Sequence, residues 1–325
     1  MLAFLIRRLL QGAVVLLAVA FLAFLLFQHV GDPITQMLGQ EASPAQREAL
    51  RADLGLDRPV PVQFARFVGH AVRGEFGISL RQARPVATLF AERLPATLEL
   101  ALVAAVLAVL LGVPLGVYVA LRRTTWAAKV LMGVSLLGVS LPTFLIGILL
   151  ILCFSVLLPW LPAFGRGDVV DVGGWTTGLL TADGWRHVLL PAVTLALFQF
   201  ALILRLVRAE MLEVMRADFI RFARARGLPD RVVYLGHALR NTLVPVVTVV
   251  GLQLGSLIAF SIVTETVFQW PGMGQLFIQA VMFADIPVMA AYLCLMALVF
   301  VLINAGVDLL YVVIDPRLRT VRGVA

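Results

Sequence analysis

A single lysine, Lys129, stands among 325 residues, and it follows Trp126-Ala127-Ala128 rather than a glycine-rich turn. A phosphate-cradling loop needs GxxxxGK followed by Ser or Thr, so the chain supplies no ATPase site of that kind. The four histidines, His29, His70, His187 and His237, form no HExxH pair, and no GxSxG elbow occurs. No enzyme signature is left, and the chain is not expected to be an enzyme. The two cysteines, Cys153 and Cys294, each lie inside an apolar run, which rules out a disulfide framework and a CxxC metal pair. They read as small buried residues. Charge is scarce as well. With 14% charged residues, 61% hydrophobic residues and a mean hydropathy of +0.98, the chain is too apolar for a soluble globule.

What is present is a series of long apolar runs. Crossing about 30 Å of hydrocarbon takes roughly 20 apolar residues at about 1.5 Å each. Six stretches qualify: Leu9 to Phe27, Thr97 to Leu121, Val130 to Leu158, Val188 to Leu204, Leu243 to Val263, and Val288 to Val307. Ala18-Val19-Ala20 resembles a signal-peptide cleavage site, but the apolar run continues well past it, so a retained first helix is expected. The fold class is therefore all-α and membrane-embedded.

The net charge of +7 is first a topology signal in such a chain, and no nucleic-acid partner is expected. With the N-terminus in the cytoplasm, the inner side holds Arg7 and Arg8, then Arg122, Arg123 and Lys129, then eight arginines from Arg205 to Arg240, then Arg317, Arg319 and Arg322. The outer connection after the third stretch holds only Arg166 and Arg186, and the one after the fifth holds none. The first loop, Gln28 to Pro95, carries eight arginines against seven acids, and loops of that length cross largely regardless of charge. Both ends are expected inside. Turn residues in that loop (Gly31-Asp32-Pro33, Arg58-Pro59-Val60-Pro61, Gly74, Gly77) suggest a small folded outer element, which sets region 1–95 apart from a core over 96–325.

An ion-driven carrier normally places an ionisable side chain near the bilayer midplane, where it is costly. The spans here are nearly free of charge, and Glu99, near one end of the second, reads as an interfacial residue reaching water. Gly112-Val113-Pro114-Leu115-Gly116 and Gly251-Leu252-Gln253-Leu254-Gly255 read as close helix contacts, and Pro114 and Pro142 as kinks. On the fifth span Gln253, Ser256 and Phe260 share one face, and Gln199 sits within the fourth. They are candidates either to line a transport path or to bond between helices.

The segment at about 209–241 is more ordered than a topology signal requires. Leu212, Met215, Phe219 and Phe222 recur at helical spacing among charges, so the fourth span is expected to continue as an amphipathic helix. Gly227 would end it in a left-handed turn, and Leu228-Pro229-Asp230 would start a short helix running to about Leu235, before Gly236. The pattern suits a docking element, or else a basic loop lying on anionic lipid.

Ala223-Arg224-Ala225-Arg226-Gly227-Leu228 through His237-Ala238-Leu239-Arg240-Asn241 resembles the EAA loop of permease subunits in binding-protein-dependent ABC importers of the dipeptide/oligopeptide/nickel type. Arg221 and Phe222 replace the Glu and first Ala of the general motif, and His237 and Arg240 replace its Ile and Pro. Ala223, Gly227 and Leu239 match. Similarity extends through Arg7-Arg8-Leu9-Leu10, Leu54-Gly55-Leu56-Asp57-Arg58-Pro59, Glu92-Arg93-Leu94-Pro95-Ala96-Thr97-Leu98-Glu99-Leu100, Thr264 to Gly274, and Asp315-Pro316-Arg317-Leu318-Arg319.

The resemblance implies a type I importer permease fold with six membrane helices, in a bacterial or archaeal inner membrane. It implies a second homologous permease, two cytoplasmic ATPases and an extracytoplasmic solute-binding protein as partners. On that reading the chain binds no cofactor, and ATP and Mg²⁺ belong to the ATPases. Ala223, Ala225, Gly227, Leu228, Pro229, Asp230, His237 and Leu239 would dock the ATPase. The solute would be a peptide, or alternatively a nickel chelate, glutathione or a sugar. A nucleotide-independent channel or carrier, or a membrane sensor, is the competing class.

Overall fold

Apolar runs without a breaker become single long helices, and the computed structural model, which describes residues 2–29, 43–53 and 57–314, has several. The helices are α1 (Leu2–His29), α2 (Pro44–Asp53), α3 (Val60–Val72), α4 (Val86–Leu121), α5 (Trp126–Ser140), α6 (Thr143–Ile151), α7 (Ala182–Val214), α8 (Asp218–Ala225), α9 (Arg240–Val267), α10 (Met273–Met282) and α11 (Ile286–Ile314). π-helical turns extend α6 over Leu152–Leu157 and precede α9 over Val232–Leu239. The Gly31-Asp32-Pro33, Leu54-Gly55-Leu56 and Asp315 to Arg319 strings lie outside the described residues.

Among the described residues, five helical stretches are long and apolar enough to cross a membrane: Ile6–Leu26, Val86–Leu121, Ala182–Val214, Val232–Val267 and Ile286–Val307. The expected third span is two helices, Trp126–Ser140 and Thr143–Leu157, bent by 113°. Counted as one broken span, they make six. Pro142 is the cause of the break. A proline pushes the residue before it out of the helical region, and Leu141 is extended at φ −91°, ψ 138°. Pro114, by contrast, does not interrupt α4. At about 1.5 Å per residue the 36 residues of α4 run about 54 Å, well beyond a bilayer's hydrocarbon.

The chain divides into two compact units, Met1–Pro95 with Pro271–Leu302, and Ala96–Trp270 with Ile303–Ala325. In the first, Phe64 of α3 meets Phe21 and Phe24 of α1 edge-on at 5.5 and 5.6 Å. The buried carboxylate of Asp285 accepts the Ser79 hydroxyl at 2.5 Å and the backbone N–H groups of Leu80 and Arg81. The segment after α3 is therefore tied down.

In the second unit α7 is the central helix. Ile203, Leu204, Val207 and Met211 are fully buried there, and α5, α6 and α9 pack around it. Gly112 and Gly116 of α4 face it as the small-residue pattern predicts: added Cβ atoms would stand 2.8 Å from Ile203 Cγ2 and 2.8 Å from Val207 Cβ. Large apolar side chains such as Leu110, Leu136, Leu137, Ile148 and Leu152 are exposed, as helices immersed in lipid allow.

Two further features differ from expectation here. A β-hairpin joins β1 (Val170–Val172) to β2 (Trp175–Thr177) through Gly173-Gly174. Glu99 does not reach water: it is 4% exposed and paired with Arg166, because the hairpin loop folds over α4 at this position, inside the helix, and closes it off.

Candidate functional site

Apolar periodicity alone predicts that α7 runs on to Gly227, but the helix stops at Val214. Met215 and Arg216 turn the chain, Ala217 is extended at ψ 150°, and α8 begins at Asp218. Asp218 suits the positive end of the α8 dipole. Restarting the helix shifts its phase. Ile220 and Ala223 are buried in the second unit's core, while Phe219 and Phe222, expected to extend the apolar stripe, face outward at 45% and 65% exposure. The Arg226 guanidinium stands 5.8 Å from the Phe222 ring and that of Arg224 5.9 Å from Tyr234.

α8 ends in a Schellman turn. Gly227 N–H donates to Arg224 O at 2.9 Å, Leu228 N–H donates to Ala223 O at 3.4 Å, and Gly227 has φ +73°. Pro229 O then accepts from Val232 and Val233 N–H, opening the next helix. That helix is not a separate short one. Gly236 lies inside the π-helical stretch Val232–Leu239, which passes directly into α9, so Gly236 is no stop. A glycine within a helix costs about 1 kcal/mol, and the buried Val233 and Ala238 on either side hold the helix in place. The one free-standing short helix of the arm is thus α8, before Gly227, and the element after it is the foot of a membrane-length helix.

Of the residues singled out for docking, Ala225, Gly227, Leu228, Pro229, Asp230 and His237 are exposed, whereas Ala223 is buried and Leu239 half-buried. Ala223 seats α8 on the core because it points inward with Ile220. The Schellman bonds bring Ala223, Gly227 and Leu228 together. Along α9, Gln253 and Ser256 are half-buried and Phe260 is exposed, while Gly251 and Gly255 turn inward. Gln199 stands apart from that partly open face: it is 3% exposed within α7's packing, and its Nε2 has no partner.

The sequence strings around Thr97 and Thr264 also meet. Thr97 Oγ1 donates to Glu265 Oε1 at 2.6 Å, and Trp270 Nε1 donates to Ala96 O at 2.9 Å. Both Glu265 and Trp270 are fully buried.

Membrane-length helices joined by an arm that turns one short helix outward between two spans are the architecture of a permease subunit of an ABC importer. The chain belongs to the family of binding-protein-dependent transport system inner membrane components: that family's model matches residues 112–320, and its N-terminal companion matches residues 1–101. It is 41% identical over 321 residues to the glutathione transport system permease protein GsiC of Escherichia coli (strain K12), covering 98% of this chain and 99% of that protein. The GsiC protein of Shigella dysenteriae serotype 1 (strain Sd197) matches equally. Among solved structures, the inward-facing MetNI methionine ABC transporter in its CY5 native crystal form superposes with a TM-score of 0.55 at 19% identity. That match covers 70% of this chain and 96% of the other, and shows that the fold is shared.

Proposed function

We propose that this chain forms half of the translocation pathway of an ATP-driven importer for short peptides. It pairs with a second homologous permease, and a solute-binding protein delivers the solute from outside. Separate cytoplasmic ATPases hydrolyse ATP with Mg²⁺, and this chain binds no cofactor. The arginine-rich connections support cytoplasmic N- and C-termini, with α5 and α6 counted as one broken span. The observation that carries the reading is α8, a helix held by the Gly227 turn whose exposed Phe219 and Phe222, with Leu228, offer apolar anchors among arginines. Closure of the ATPase dimer pushes this arm, α7 and α9 swing with it, and the cavity opens outward to accept solute.

Phe222→Asp and Leu228→Asp test the docking arm. Each should insert normally yet lose affinity for the ATPase by about thirtyfold or more, the scale of a lost buried anchor. Undiminished copurification with the ATPase, together with normal uptake, would sink the reading.

Within the peptide class, glutathione is favoured by the GsiC relatives, which match along nearly the full length. Calorimetry on the cognate binding protein with glutathione, dipeptides and nickel chelates decides among them, and glutathione should bind most tightly. For the pathway itself, water-soluble maleimide should label Gln253→Cys and Ser256→Cys to an extent that depends on nucleotide state. Labelling that ignores nucleotide assigns that face to helix packing.

A further inference from the structure

One loop, residues 165–181, which contains the β-hairpin, meets α4 at Glu99, the N-terminal end of α7 and the C-terminal end of α9. Arg166 Nη2 donates to Glu99 Oε2 at 2.5 Å, with only 7% and 2% of the two side chains exposed. The same guanidinium holds the hairpin, donating to Thr176 Oγ1 at 3.0 Å and Thr176 O at 2.7 Å. Glu99 in turn accepts Gly178 N–H at 3.2 Å. One ion pair thus fastens the loop to α4.

The other two helices are tied to the same loop. Gly165 N–H donates to Phe268 O at 3.0 Å just beyond α9, where the Trp270 ring lies 6.0 Å from the Arg166 guanidinium. Thr181, the N-cap of α7, accepts Gly184 N–H at 2.9 Å and donates to Asp168 O at 2.8 Å, while Asp183 Oδ2 accepts Asp168 N–H at 3.0 Å. Gly184 permits the contact, since a Cβ there would stand 2.1 Å from Gly178 O. Direct bonds between α4 and the α9 end, Thr97 to Glu265 and Trp270 to Ala96, complete the ring.

A buried ion pair is weak evidence for stability, because its desolvation offsets most of the attraction and an apolar pair of equal volume often serves as well. Its geometry is specific, however, and Arg166 uses two faces of its guanidinium to hold two elements at once. Helices this long that were not joined away from α8 would each answer a push at α8 separately. Joined there, they turn as one body.

We propose that Arg166 is a positioning residue, the pin of a clasp formed by residues 165–181 that makes α4, α7 and α9 a single lever for the displacement entering at α8. The proposal rests on the importer reading above.

The test uses the full complex of both permeases, ATPases and binding protein in lipid vesicles. Arg166→Met combined with Glu99→Gln, which strands no buried charge, should leave assembly and basal ATP hydrolysis unchanged, yet raise the ATP consumed per solute imported about tenfold, while Arg166→Lys beside native Glu99 should raise it less. An unchanged ratio in the assembled double variant overturns the clasp. Should that variant not assemble, spin labels at the exposed positions Leu180 and Thr266 of an otherwise wild-type chain decide the matter. Their separation should be the same in nucleotide-free and ATP-trapped states, and a change between them overturns the proposal. Wild-type complexes without ATP-dependent uptake would instead overturn the importer reading, and the clasp with it.

Discussion

Gly227→Pro should abolish ATP-dependent uptake while leaving the chain in the membrane at its normal level. Proline fixes φ near −65°, and Gly227 sits at +73°, so the Schellman turn cannot form around it. The substitution also removes the N–H that donates to Arg224 O at 2.9 Å. Together these cost about 3 kcal/mol or more, enough to release α8 from its fixed angle to the foot of α9. The position is a clean test of backbone conformation, because a Cβ there would meet nothing within 4 Å. A graded series is expected. Gly227→Asn should retain most uptake, since Asn tolerates the left-handed region. Gly227→Ala should lose a moderate share for about 1–2 kcal/mol of strain, and Gly227→Val more. Uptake in vesicles, read against membrane content and ATPase copurification, checks the order. Equal uptake across the series would mean that the turn transmits nothing.

The turn was legible in the sequence because Gly-Leu-Pro-Asp is local chemistry, and local chemistry needs no partner. What flanks it was not legible. Nothing in Met215-Arg216-Ala217 breaks a helix, so the end of α7 follows from burying Ile220 and Ala223, a tertiary gain that periodicity cannot weigh. The phase shift then turns Phe219 and Phe222 outward, where a continuous helix would have placed them on the stripe. Gly236 misled in the opposite direction, since its modest propensity cost is outweighed by the buried residues around it. The apolar runs located the spans, and Pro142 marked a disturbance in the third, but a proline in sequence does not state an angle of 113°. The β-hairpin had a readable signal in Val169-Val170-Asp171-Val172-Gly173-Gly174-Trp175, a paired glycine turn between β-branched residues. The Glu99 and Arg166 pair had none, because 67 residues separate them and only the folded loop brings them together.

Gly116→Leu is expected to destabilise the bundle strongly. At this position α4 and α7 approach so closely that an added Cβ would stand 2.8 Å from Val207 Cβ and 2.9 Å from the backbone oxygen of Leu204. Neither atom is the free end of a flexible side chain, so the helices must part. Forcing extra methylenes into a packed interior costs about 1–3 kcal/mol, and leucine adds several to a site with no room for one. Parting α4 from α7 here also strips contacts from Gly112, whose added Cβ would lie 2.8 Å from Ile203 Cγ2 one turn away. The damage therefore spreads along the seam. Gly133→Leu on α5 is the matched control, an exposed glycine with nothing within 4 Å of its Cβ. Thermal unfolding of the solubilised complex should show a markedly lower midpoint for Gly116→Leu and little change for Gly133→Leu. Equal midpoints would mean that the α4–α7 seam is not what holds the second unit together. Because that seam joins the helix receiving the push from α8 to its neighbour, Gly116→Leu should also keep transport only in proportion to the complex that remains folded. Any further loss per folded complex measures how far the seam carries motion as well as stability.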